Sequence, residues 1–222
     1  LYKLVSISHL DDFHRHPRIL KDRLVELREG LILGSACEAG ELYQAIISGK
    51  SEDEIDEIAN FYDYLEIQPI KNNEFMLRNG QVKSEDDLRA LNRRIFEIGK
   101  KLGKPVVATS DAHFLDPHDE VFRRILMAGQ GYEDADLQPP LYFRTTDEML
   151  EEVSYLGEEA AKEVVITNPK IIADMVQELR PVPDKLYTPN IDGAEEQIRT
   201  MAYNKAKDLY GDTLPEIVEA RL

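Results

Sequence analysis

The sequence predicts an α/β fold. Three observations carry that reading: short apolar runs bounded by glycine or proline, longer stretches of three-four apolar rhythm, and the alternation of the two over the first two thirds of 222 residues. Such alternation is the pattern of successive βα units. After about residue 118 the strand signals fade while helical ones continue, so a mainly helical segment is expected to follow.

The chain opens on Leu1, Leu4, Val5 and Ile7, an apolar pattern that reads as a helix through His9. GLILGSA (30–36) follows as a strand, since Leu31, Ile32 and Leu33 between glycines suggest burial on both faces. EAGELYQAIISG (38–49) is a helix ending on Gly49. SEDEIDEIANF (51–61) is another, opened by Ser51 and Glu54 in capping-box spacing. FYDYLEIQP (61–69) is a second strand, stopped by Pro69. SEDDLRALNRRIFEIGKKLG (84–103) is the best helix, with Leu88, Leu91, Ile95, Ile98 and Leu102 along one stripe, Ser84 as cap and Gly103 as stop. PVVATS (105–110) is the third strand. Helical patterns then run over 118–129, 146–156 and 157–179. RPVPDKLYTPNIDG (180–193) holds three prolines and a glycine and reads as a linker. Residues 198–211 and the final PEIVEARL are helical again.

Composition narrows the class. Hydrophobic residues at 42% and charged residues at 32% suit a globular protein rather than a disordered one. No run approaches the roughly 20 apolar residues of a membrane span, and no basic-then-apolar leader precedes the first helix. One cysteine forms no internal disulfide, which points to a reducing, cytoplasmic setting. With 43 acidic against 27 basic residues the net charge is −16, so these residues are not expected to grip DNA tightly. Both ends fall inside apolar or helical patterns, and the sequence reads as a piece excised from a longer protein.

Strand ends are where α/β folds place functional side chains. Cys37 follows GLILGSA, and Asp111 and His113 follow PVVATS. If those strands are parallel neighbours, a thiolate, a carboxylate and an imidazole leave one edge together, a mixed set suited to zinc, manganese or iron rather than calcium or magnesium. The plainer readings stand beside it: a lone cysteine as small buried filler, and an Asp-x-His that caps the next helix or fixes a turn. Glu66, a carboxylate inside the second strand, needs a partner and is a second-rank candidate. His9 reads as packing or surface, His14 and His16 as a polar turn before Pro17, and His118 as a helix start. No phosphate loop, G-x-S-x-G elbow or CxxC pair is present.

Taken in order, KLVSISHL, HPRI, GLILGSACEAGEL, FYDYLEIQP, PVVATSDAHFLDP, LYFRTTDEML and LYTPNIDGAEEQIRTMAYNKAKDLYG resemble the PolC-type bacterial DNA polymerase III alpha subunit along essentially the whole chain. The resemblance implies a polymerase-and-histidinol-phosphatase (PHP) domain, a distorted (β/α)7 barrel with a multi-metal cluster and an inserted 3′–5′ exonuclease. It implies the part of that barrel lying after the insertion, lacking the N-terminal strands, in residues 1–118. A helical connection (119–180) and a linker with the start of the palm (181–222) would follow. The SAC motif then assigns Cys37, and the SDAH motif Asp111 and His113, as ligands of zinc or manganese. The family's early His-x-His lies elsewhere and is not His14-Arg15-His16. For the parent the resemblance implies Mg-dependent polymerisation with primer-template DNA, dNTPs and the sliding clamp; no catalytic residue of either active site is expected here. Two other readings are a free-standing metal-dependent PHP phosphoesterase, which needs a complete ligand set, and an acidic interaction module. Self-association through exposed sheet edges is also expected.

Overall fold

The computed structural model describes residues 1–182 and 184–222; Pro183, one of the three linker prolines, lies outside the described residues. The fold is mixed α/β and dominated by helices. It divides into two compact units, Leu1–Val176 and Gln177–Leu222.

In the first unit the helices are α1 (Tyr2–Leu10), α2 (Lys21–Glu26), α3 (Glu41–Ile47), α4 (Glu52–Phe61), α5 (Phe75–Arg78), α6 (Glu85–Leu102), α7 (Glu120–Gly129), α8 (Thr146–Glu152), α9 (Glu158–Lys162) and α10 (Asn168–Met175). A π-helical stretch, Glu163–Thr167, joins α9 to α10. Two strands, β1 (Leu65–Ile67) and β2 (Val106–Ala108), pair in parallel with Leu65 opposite Val106 and Ile67 opposite Ala108. The second unit holds α11 (Ala194–Tyr210) and α12 (Glu216–Glu219).

The local rules read from sequence hold at the helix ends. The Ser51 hydroxyl accepts from the Glu54 amide, and the Glu54 carboxylate accepts from the Ser51 amide. Ser84 and Asp87 repeat the arrangement at the start of α6, which ends on Gly103 in the left-handed conformation at φ 65°. This satisfies amide and carbonyl groups that a helix terminus otherwise leaves bare.

The core lies between α6 and the strands. Leu88, Ile95 and Ile98 of α6 are buried against Leu65, Ile67 and Val106, with Leu42, Ala59 and Met76 from the preceding helices. Each of the larger of these side chains (Leu, Ile, Val and Met) contributes roughly 1.5–3 kcal/mol through removal from water. Gly99 lets α6 approach β2 closely: a Cβ there would stand 2.2 Å from Val106 Cγ2. Buried amides tie the layers together. Asn92 Nδ2 donates to the Gln68 carbonyl at 2.8 Å and to the Tyr155 hydroxyl at 2.7 Å. Asn168 Nδ2 donates to the Val106 carbonyl at 2.8 Å.

Several expected boundaries change. The strand predicted over 30–36 is reduced to one parallel bridge, Gly34 to Tyr64. Its pairing begins, with the Ser35 amide donating to the Tyr64 carbonyl at 3.2 Å. The Ser35 hydroxyl then takes the Glu66 amide at 3.0 Å in place of a backbone rung, and Ala36 at φ 62° turns the chain out of extension. The helix predicted over 38–49 starts at Glu41, because residues 37–40 form a turn closed by the Gly40 amide on the Cys37 carbonyl at 2.9 Å. The helix predicted over 157–179 ends at Met175, where Val176 becomes extended at ψ 127°.

Candidate metal centre

The segment around Gly34, β1 and β2 all run in the same direction. The residues that follow each of them therefore leave at one edge, with β1 in the middle. Cys37 lies on one side of that edge and Asp111 and His113 on the other: the direction is the parallel one the sequence reading required, but the two segments are not neighbours, since β1 lies between them.

The two motifs are built alike. Ala36, just before Cys37, and Asp111 itself are non-glycine residues in the left-handed region, at φ 62° and 53°. Such backbone costs an L-residue about 1–2 kcal/mol and concentrates at functional sites. Aspartate tolerates it better than alanine because its short polar side chain can bond locally. At the first motif, Gly40 packs so closely that a Cβ would meet the Ser35 carbonyl at 2.2 Å and the Cys37 carbonyl at 3.0 Å. At the second, Asn72 Nδ2 holds the Ser110 carbonyl at 3.1 Å, fixing the residue before Asp111.

Asp111 and His113 come together, with His113 Nε2 3.4 Å from Asp111 Oδ1 and both side chains about half exposed. Cys37 is part-buried, and burial pushes its thiol up from the ordinary value, opposed by a hydrogen bond with the Ala39 backbone. Cys37 does not close onto the pair: among the described residues, the one trio of ligand-type side chains whose donor atoms all lie within 4.8 Å is Asp116, His118 and Asp119. That trio has a simpler origin. Asp116 and Asp119 cap each other's amides at the entry to α7, and His118 rests 3.5 Å from Asp119.

Glu66 occupies the central strand. Its Oε1 accepts from Thr109 Oγ1 at 2.8 Å and from Gln68 Nε2 at 3.3 Å, which answers the need for a partner that its strand position creates. His14 and His16 pair through backbone in a short antiparallel bridge, with Arg15 between them at φ 61°, and are exposed.

Sequence reasoning missed the support behind His113. Leu141 and Phe143 lie beside it: the Leu141 carbonyl accepts from the His113 amide at 2.7 Å, and the Phe143 amide donates to the Phe114 carbonyl at 2.9 Å. Arg144, with its side chain fully buried, stacks on the Tyr142 ring at 4.5 Å and donates through Nε to Glu152 at 3.3 Å. The run LYFRTT carried a weak signal of this, an apolar and aromatic stretch between two helices too short to be one itself.

No helix among the described residues is long and apolar enough to cross a membrane. No family model matches the chain. Comparison with curated proteins gives similarity along all of it. The chain is 64% identical over 222 residues to the PolC-type DNA polymerase III of Clostridium perfringens, and spans 15% of that protein. It is 58% identical over 222 residues to the one from Caldanaerobacter subterraneus and 47% identical over 225 residues to the one from Bacillus subtilis, spanning 16% of each. From its first residue to its last, the chain is homologous to one segment of the PolC-type DNA polymerase III family, about a sixth of those relatives' length.

Proposed function

We propose that this chain is a segment of a replicative DNA-directed DNA polymerase, and that its own part in that protein is architectural. The observation that carries the reading is the end-to-end match to PolC-type relatives at 45–64% identity. On this reading residues 1–118 are the C-terminal part of the PHP barrel, 119–180 the connection, and 181–222 the linker and start of the palm. The whole protein extends primers on template DNA with dNTPs and Mg2+, works with the sliding clamp in the cytoplasm, and carries a 3′–5′ exonuclease. The segment contributes to neither active site, and its charge of −16 keeps it from gripping DNA by itself. Phosphoesterase chemistry is the barrel's ancestry rather than its present work. A free-standing phosphoesterase is not favoured, because the proteins matched are polymerases several times longer than this chain.

Cys37, Asp111 and His113 would hold zinc or manganese, with Glu66 in second rank. The chemistry of the donor set suits such an ion: imidazole and carboxylate are 3.4 Å apart, and the Cys37 thiol follows the parallel bridge at Gly34 on the far side of β1. An ion held by these residues would supply a Lewis acid at the sheet edge. Purified full-length protein should carry zinc or manganese by elemental analysis and lose it in Cys37→Ala, Asp111→Ala and His113→Ala. It should also extend a primed template with Mg2+. Metal-free protein, or unchanged content in the variants, sinks the metal reading; absence of primer extension sinks the polymerase reading.

A further inference from the structure

Helix α7 is amphipathic, but its apolar side faces outward. Phe122, Ile125 and Leu126 follow the i, i+3, i+4 rhythm of a packing stripe, yet they are 61%, 63% and 66% exposed, and no residue of α7 is buried. The other side of the helix makes polar contacts instead. Arg123 donates to Gln138, whose amide donates to Met127 Sδ at 3.3 Å, and Arg124 sits 3.7 Å from Asp136. Leu115 and Phe143, joined by a backbone hydrogen bond of 3.2 Å, extend the apolar surface and are equally exposed. Leu115, Phe122 and Leu126 line one open cleft of about 530 Å³ together with His113, Phe114, Asp119 and Arg123.

A cluster of exposed apolar side chains of this kind marks an interaction site. Two features decide what covers it. Each copy of the chain carries a net charge of −16, so two copies repel at long range. The relatives that match the chain from end to end are about six times as long, and a segment of the same polypeptide arrives at high effective concentration without a second molecule. We infer that the outward face of α7, with Leu115 and Phe143, is an internal docking surface, covered beside His113 by an apolar segment of the longer polypeptide that lies outside these 222 residues. The inference rests on the family relationship and not on the metal reading.

The test uses the full-length protein with a single reporter cysteine, Ile125→Cys or Phe143→Cys, and Glu97→Cys on exposed α6 surface as control. Maleimide labelling is followed by peptide mass spectrometry, so that Cys37 is read separately. Either reporter should label at least about 100-fold more slowly than the control in native protein, since reaction then waits on a local opening, and at the same rate as the control in urea. A photo-crosslinker at position 125 should capture a peptide of the same polypeptide from outside these residues. Labelling as fast as the control overturns the inference. So does protection that disappears on dilution together with a halving of mass by light scattering, which assigns the face to a second copy.

Discussion

Ala36 and Asp111 occupy left-handed backbone at the two motif-bearing strand ends, and only one of them is chemically suited to it. Alanine gains nothing there to offset the crowding of its Cβ, so the surrounding contacts hold it: the Ser35 hydroxyl on the Glu66 amide before it and the closed turn to Gly40 after it. A β-branched residue at this φ adds further strain, and Ala36→Val should lose about 1–2 kcal/mol in urea unfolding. Ala36→Gly should be neutral or slightly stabilising, because relief of strain and greater unfolded-state entropy nearly cancel. Gly40→Ala fails by a different route, since its Cβ meets the Ser35 carbonyl rather than a yielding side chain. It should cost about 1–3 kcal/mol and displace Cys37, read as faster alkylation of that thiol. At this scale the capping residues and the ligand-type residues were legible, because their chemistry is in the side chain. The left-handed alanine was not, because alanine announces no backbone preference of that kind.

At the scale of elements, helix ends follow local chemistry while strands depend on neighbours. The Ser51–Glu54 box could be read directly because four consecutive residues determine it. Its electrostatics follow from the same contacts. Hydrogen bonds from the Ser51 side chain and then its backbone, with Lys50 adding a further bond and opposite charge, hold Glu54 down from 4.5 to about 2. The folded-state value lies below the unfolded one, so this contribution is fully present above about pH 4.5 and is lost as pH falls towards 2. Acid titration followed by circular dichroism should therefore show stability declining through that window, and Glu54→Gln should flatten the decline while leaving the neutral-pH spectrum unchanged. An identical acid limb in the variant removes Glu54 from the account. The predicted strand at 30–36 illustrates the opposite case. Its composition suits a buried strand, but whether a rung forms depends on Ser35 Oγ reaching the Glu66 amide, a partner thirty-one residues away. Helix α7 was legible as a helix from periodicity alone; which way its stripe faces is a tertiary fact.

For the whole molecule, the sequence supported an α/β part followed by helices, and the parallel relations of the Gly34 segment and of β2 to β1 gave the two motif-bearing segments the same direction. The meeting of Asp111 with His113 followed from their spacing, whereas the separation of Cys37 from them followed from the strand between. The two compact units differ sharply in what their long helices bury. In α6, Leu88, Asn92, Ile95, Ile98 and Gly99 are all buried, and their removal from water opposes any opening. In α11, Ala206 is the one buried residue, while Ile198, Met201 and Leu209 stay largely in solvent. A seventeen-residue helix with so little burial depends mainly on propensity, which is marginal in water. Local opening free energies should therefore separate the two. In hydrogen-exchange mass spectrometry of the 222-residue chain, α11 amides should exchange at least about 100-fold faster than those in the middle of α6. Equal protection of the two helices would mean that α11 is held by more than the burial within its own unit.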